Sequence, residues 1–283
     1  MNFADADHKY EDADVVIIGV PFDKTVSFRD GTREAPVYIR EASYNFETYY
    51  LEYDSEITEV SLCDLGDLNV STVEDVAREV RKSTNQILYD DKLPIIIGGE
   101  HSITIYSSGV FKEKFKDDTF FIVVDAHLDM RDRYKDNKFS HACVSRRVFE
   151  KFNNDIALIG QRSGSKDEYK FIQKNNIPLY SSDDLKNGDL KEIVSDIKDK
   201  AEGKKIYLSL DMDALDCMLA PGVGNPEPYG LNPNQVREIV SSFSKDVYLF
   251  DIVEVSPKYD SNGETAMLAA KIIRDFIMEK YFG

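Results

Sequence analysis

Three apolar runs in this chain end in residues that bind cations. Phe120 to Val124 runs into Asp125-Ala126-His127-Leu128-Asp129, two carboxylates and an imidazole in strict alternation. Ile206 to Leu210 leads into Asp211-Met212-Asp213, with Ala214-Leu215-Asp216 behind it, and Pro94 to Ile97 ends in Gly98-Gly99-Glu100-His101. In an extended backbone, residues i, i+2 and i+4 point to one face, so Asp125, His127 and Asp129 are expected to converge on a common point. The donors His101, Asp125, His127, Asp129, Asp211 and Asp213 are too many for the tetrahedral shell of structural zinc. They suit two octahedral-leaning divalent ions that share carboxylates, which points to a binuclear metallohydrolase.

Each motif also has a plainer explanation. A lone Asp-x-Asp after a strand commonly caps a helix or sits in a solvated turn, and Asp-x-His-x-Asp can be an ion-paired strand end. The histidine inventory favours the site: the chain has only four, His8, His101, His127 and His141, and three lie at or near these strand ends. Gly98-Gly99 lacks the Lys-Ser/Thr of a phosphate-binding loop and the spacing of a dinucleotide fingerprint. Cys143 and Cys217 stand in no triad-like arrangement and read as small buried side chains rather than nucleophiles.

The elements that position these residues follow from the apolar pattern. Strands are expected at Val15–Val20, Glu59–Leu65, Leu93–Ile97, Phe120–Val124, Ile156–Ile159, Ile177–Tyr180, Lys205–Leu210 and Val247–Val253. Most of these runs are continuous rather than alternating, as in strands covered on both faces. Helical periodicity fills the intervals at Val73–Leu88, Ser145–Phe152, Asp167–Asn175, Leu190–Ala201 and Pro233–Phe243, and Glu264–Tyr281 closes the chain. Such alternation predicts a parallel sheet between helical layers, with sites outside the carboxyl ends of the strands, where every candidate ligand falls. No linker, low-complexity tract or repeat divides the 283 residues, so one domain spanning 1–283 is expected.

Composition narrows the partners. With 52 acidic against 35 basic residues the formal charge is −17, which argues against nucleic acid and permits a small cationic substrate. The N-terminal residues lack a basic region and an apolar core, no run is long enough to span a membrane, and the three cysteines lack thiolate-site spacing. A cytoplasmic protein with reduced thiols is the expectation.

Together, Gly98-Gly99-Glu100-His101-Ser102, Asp125-Ala126-His127-Leu128-Asp129 and Ser209-Leu210-Asp211-Met212-Asp213-Ala214-Leu215-Asp216 resemble the three metal motifs of the ureohydrolases, the arginase and agmatinase family. Ala220-Pro221-Gly222-Val223-Gly224-Asn225-Pro226-Glu227-Pro228 resembles the segment that follows the third motif and points to the agmatinase branch. Similarity extends to Gly19 to Asp23, Gly31 to Pro36 and Asp64 to Asp67, and covers roughly residues 15 to 275. The resemblance implies a three-layer α/β/α sandwich with an eight-stranded parallel sheet, two Mn²⁺ ions per subunit, and a homo-oligomer, trimeric or hexameric. The implied reaction is hydrolysis of a guanidino compound to urea and an amine, with agmatine to putrescine as the leading case. The six donors above would hold the ions, Glu254 would grip the guanidinium through paired N–H bonds, and His141 would relay a proton to the leaving amine.

The chain departs from the family pattern at several positions. Cys217-Met218 stands where a proline is common, Leu128 where threonine is frequent, Ala142 after His141 where glycine is usual, and Met130-Arg131-Asp132 where relatives carry small polar residues. Arg131 falls near the substrate tail in relatives and would repel a cation or bind a carboxylate, which keeps guanidinobutyrate, arginine and formiminoglutamate open. Pairing of Arg131 with Asp132 or another loop carboxylate would reconcile it with agmatine. A single-zinc deacylase of the related deacetylase-like fold would carry an adjacent His-His pair, which is missing, and a non-catalytic metal-binding protein would be expected to lack a ligand or His141.

Overall fold

A computed structural model describes residues 1–283. Its strands are β1 (Val15–Val20), β2 (Tyr49–Tyr50), β3 (Ser55–Glu56), β4 (Leu62–Asp67), β5 (Leu93–Gly98), β6 (Thr119–Val124), β7 (Ile156–Ile159), β8 (Leu179–Tyr180), β9 (Lys205–Asp211) and β10 (Val247–Val253). The helices are α1 (Ala35–Ser43), α2 (Val73–Tyr89), α3 (Thr104–Phe115), α4 (Val144–Phe152), α5 (Lys166–Asn175), α6 (Ser182–Asn187), α7 (Leu190–Lys200), α8 (Pro233–Phe243) and α9 (Glu264–Phe282). Eight strands form one sheet in the order β4-β1-β5-β10-β9-β6-β7-β8, every pair parallel. β2 and β3 form a separate antiparallel hairpin.

The continuous apolar strands feed two cores, because successive side chains point to opposite faces. Val15, Ile17, Ile95, Ile97, Phe120, Ile122 and Leu208 face α1, α7, α8 and α9. Val16, Ile18, Ile96, Phe121, Val123 and Tyr207 face α2, α3, α4 and α5. Burial of each large apolar side chain is worth about 1.5–3 kcal/mol, so a sheet covered on both sides forms a rigid platform. Four helices start where Ser, Thr or Asn precedes an acidic or amide residue by three. Thr72/Asp75, Ser165/Glu168, Ser181/Asp184 and Asn232/Gln235 each satisfy the open N–H groups reciprocally.

Two strands start later than the apolar runs suggest. Ile57–Glu59 forms a 3₁₀ turn closed by Glu56 and Glu59, so β4 begins at Leu62. Ile177 donates its N–H back to Ile172 O at the end of α5, leaving β8 to begin at Leu179.

The register explains the site. Ile97, Ile252, Leu210 and Val124 stand in one row across β5, β10, β9 and β6. The chain therefore leaves these four central strands at one level, and the residues that follow gather over the same patch.

Candidate metal centre

β9 delivers Asp211 as its last residue, and β6 ends one residue before Asp125. His101 opens a 3₁₀ turn three residues after β5, and Glu254 follows β10 directly. The plainer roles of the aspartates hold as well. Asp211 Oδ1 accepts the N–H of Asp213 at 2.8 Å and caps the next turn, and Asp125 Oδ1 accepts the N–H of His127 at 2.6 Å. In both residues Oδ2 is left to face His101, at 3.3 Å from its Nδ1 in each case.

The donors form two groups that share Asp125: His101, Asp125 and Asp211, and Asp125, His127 and Asp213. His127 Nδ1 lies 2.9 Å from Asp213 Oδ2 and 3.7 Å from Asp125 Oδ1. Asp129 Oδ2 lies 3.7 Å from His101 Nδ1. Adjacent ligand atoms around a divalent ion bound at about 2.1 Å are separated by roughly 3 Å, so these spacings suit a coordination shell. His101 Nδ1 and Asp125 Oδ2 are buried and have no hydrogen-bond partner. A shared cation would satisfy both.

The alternating segment does not converge by extended backbone. β6 ends at Val124, His127 bridges to Ser163, and Asp129 takes φ +48°, so a left-handed turn brings its carboxylate over the site. Glu254 adopts φ +65°. Such conformations cost a non-glycine residue on the order of 1–2 kcal/mol and concentrate where geometry serves function.

The electrostatics call for positive charge. Burial alone would lower the His101 pKa, but the Asp125 and Asp211 carboxylates hold it well above its ordinary value. Burial likewise opposes the charge on His127, and Asp213 and Asp125 raise it. Burial pushes Asp129, Asp211 and Asp213 up, as do their carboxylate neighbours, whereas His101 and His127 overcome burial at Asp125 and lower it. Four crowded carboxylates ionise together only beside cations.

Glu254 and His141 flank this patch. Glu254 Oε1 accepts the His101 N–H at 2.8 Å and lies 3.5 Å from His141 Nδ1. Burial lowers the His141 pKa and the Glu254 carboxylate raises it further, to a net value of about 9. His141 is held by residues distant in sequence. Its N–H donates to Thr25 Oγ1 at 3.0 Å, and Thr25 donates through both N–H and Oγ1 to the buried carboxylate of Glu100. Glu100 stands beside His101 in the motif, but nothing in sequence signals a partner 75 residues away. Arg162, which lies in none of the motifs, donates to the carbonyls of Asp213, Ala214, Leu215, Glu227 and Pro228 and gathers the third motif.

The cleft over these groups has a volume of about 280 Å³, and Arg131, Tyr134 and Glu168 contribute to its lining. Arg131 Nε pairs with Glu168 Oε2 at 3.5 Å rather than with Asp132, which Arg147 holds at 2.9 Å. His8 is exposed and belongs to neither donor group. All three cysteines are free, and burial pushes the Cys143 thiol up to about 11, against a nucleophilic role. No helix is long and apolar enough to cross a membrane.

A model of the arginase family matches residues 13–279. An agmatinase of Pyrococcus horikoshii is 36% identical over 268 residues, 93% of this chain and 90% of that protein. An N(1)-aminopropylagmatine ureohydrolase of Thermococcus kodakarensis is 35% identical, over 93% of this chain and 89% of its own. Among solved structures, the agmatine ureohydrolase of Thermoplasma volcanium superposes with a TM-score of 0.93 at 39% identity, covering 99% of this chain and 94% of that one.

Proposed function

Because the chain belongs to the arginase family, we propose that it is a two-metal hydrolase that cleaves agmatine to urea and putrescine. The observation that carries this is the shared Asp125: two donor groups meet at one carboxylate, with Glu254 and His141 beside them in one cleft. His101, Asp125 and Asp211 would hold one ion, Asp125, His127 and Asp213 the other, and Asp129 would complete the shell. A carboxylate-rich set with imidazoles suits Mn²⁺.

When bound, the ions supply Lewis acidity, which lowers the pKa of a water far enough for it to attack a guanidinium carbon near neutral pH. Every other part falls to side chains of this chain. Glu254 accepts two parallel N–H bonds from the planar guanidinium and fixes its orientation in the cleft. His141, held up by Glu254, carries the proton that the leaving amine requires. Thr25 and Glu100 hold His141 in reach by its backbone.

Agmatine is supported by the names of similar proteins and by the acidic balance of the chain, which favours a dication. Arg131 in the cleft lining favours a second reading, a guanidino compound with a carboxylate tail such as guanidinobutyrate, arginine or formiminoglutamate. Its contact with Glu168 leaves less positive charge to repel an ammonium. We further propose a cytoplasmic homo-oligomer, trimeric or hexameric as the resemblance implies. Urea release with Mn²⁺, measured side by side on agmatine, arginine and 4-guanidinobutyrate, tests the assignment. The reading requires agmatine to give the highest kcat/KM. A 4-guanidinobutyrate preference that vanishes in Arg131→Ala would replace it with the second reading.

A further inference from the structure

Behind His101 lies a buried polar chain that reaches away from the cleft. Its Nε2 is 3.0 Å from Ser209 Oγ, and Ser209 Oγ is 2.6 Å from Asp251 Oδ1. Asp251 and Ser209 face each other in register across β10 and β9. The other carboxylate oxygen, Asp251 Oδ2, accepts the hydroxyls of Thr104 at 2.8 Å and of Tyr207. Tyr207 in turn meets Ser107 at 2.7 Å. All of Ser107, Thr104, Ser209 and Asp251 are wholly buried, so no water competes for these bonds.

The proton count fixes the direction. A hydroxyl has one proton to give, and Ser209 gives its own to Asp251. The Ser209 oxygen is then left only to accept, so in the neutral imidazole, the form a metal ion requires, the single proton must sit on Nε2. That leaves the lone pair on Nδ1, the atom that faces Asp125, Asp211 and Asp129 and has no hydrogen-bond partner. If Ser209 donated to Nε2 instead, the imidazole proton would sit on Nδ1 and block it as a ligand. We propose that Asp251, through Ser209, is a positioning residue that selects the metal-binding tautomer of His101 and fixes the plane of its ring. Thr104 and Tyr207 hold the carboxylate so that Oδ1 alone serves the relay. Outer partners of this kind tune metal affinity without touching the ion.

This inference rests on the two-metal reading, and its test is separate from turnover. Free Mn²⁺ measured by electron paramagnetic resonance during titration of the intact protein reports two binding steps. His101→Ala identifies the step that depends on His101. Asp251→Asn, whose amide can donate to Ser209 and reverse the relay, is expected to weaken that step by about 10- to 100-fold while changing the other by no more than about threefold. Ser209→Ala, a smaller change that keeps the fold if Asp251→Asn does not, should weaken the same step. Tyr207→Phe keeps the Ser209–Asp251 contact and should change it least. In zinc-loaded protein labelled with ¹⁵N-histidine, His101 should show a slowly exchanging proton on Nε2 that Asp251→Asn removes. Unchanged steps in both Asp251→Asn and Ser209→Ala, equal losses at both steps, or a proton on Nδ1 would overturn the proposal. A wild-type protein that binds no Mn²⁺ overturns it along with the two-metal reading. Two normal Mn²⁺ steps with the expected variant pattern but no urea from any guanidino compound support it and overturn only the assigned reaction.

Discussion

The two imidazoles of the centre occupy contrasting surroundings. The His101 side chain is 1% exposed, fastened behind by Ser209 and flanked by the carboxylates of Asp125 and Asp211. The His127 side chain is 22% exposed, and its Nε2 has only Glu227, 3.7 Å away on a loop. One half is braced by two central strands and closed to water. The other stands on segments that leave the sheet and opens to the cleft. A preorganised half would bind an ion with little ordering cost, and an open half would exchange its ion and admit water and substrate.

Asp125 belongs to both halves, so its loss abolishes the contrast. Asp125→Asn is expected to lower kcat/KM by on the order of 10³, about 4 kcal/mol of transition-state stabilisation. An unchanged kcat/KM would break the shared-ligand assignment. Asp129→Asn and Asp213→Asn should also silence turnover while leaving the fold intact, since the apolar sheet does not depend on them.

Removing the imidazoles separately sharpens the contrast. His101→Ala removes the donor to the buried Ser209 oxygen, which keeps only its bond to Asp251, and should cost about 1–3 kcal/mol of metal-free stability. His127→Ala, at the wetter position, should cost less than about 1 kcal/mol. Denaturant titration in a chelator reads both, and equal losses would remove the distinction.

The clustering of these aspartates and histidines was legible because strand ends concentrate functional groups and their motifs are local. The sheet was legible for a similar reason, since strands buried on both faces have no polar residues to interrupt them. What lay outside sequence reach involved distant partners or uniform burial. Glu100 meets Thr25, and Asp251 meets Ser209 across 42 residues. Helix α3 is buried at Thr104, Ile105, Ser107, Ser108, Gly109, Val110 and Phe111, so it presents no one-sided stripe for periodicity to find. Helix α1 is short and opens on Ala35-Pro36, which reads as a turn. At Asp129 the alternation was real but its expected geometry was not, because a left-handed turn replaced the extended strand.

Glu254 and His141 line the cleft that His127, Asp211 and Asp213 also line. Glu254→Gln should lower kcat/KM by about 10- to 100-fold through the lost charge-assisted bonds to the guanidinium, with Mn²⁺ content unchanged. The same variant removes the carboxylate that holds His141 at about 9 in the metal-free protein. A histidine raised on folding adds stability that is full below its unfolded pKa and is lost as pH rises through the folded one. The stability difference between wild type and Glu254→Gln should therefore be largest below about pH 6.5 and fade by about pH 9. A pH-independent difference would contradict the coupling. The smallest effect expected is at the mouth: Arg131→Ala should change kcat/KM for agmatine by no more than a few-fold, given the Arg131 contact with Glu168.

Anomalous diffraction at the manganese edge, from crystals soaked in limiting and then excess Mn²⁺, addresses the centre most directly. The account predicts one peak among His101, Asp125 and Asp211 at limiting metal and a second among Asp125, His127 and Asp213 at excess, with Asp125 touching both. A single peak at full loading, or two peaks that do not share Asp125, would contradict it.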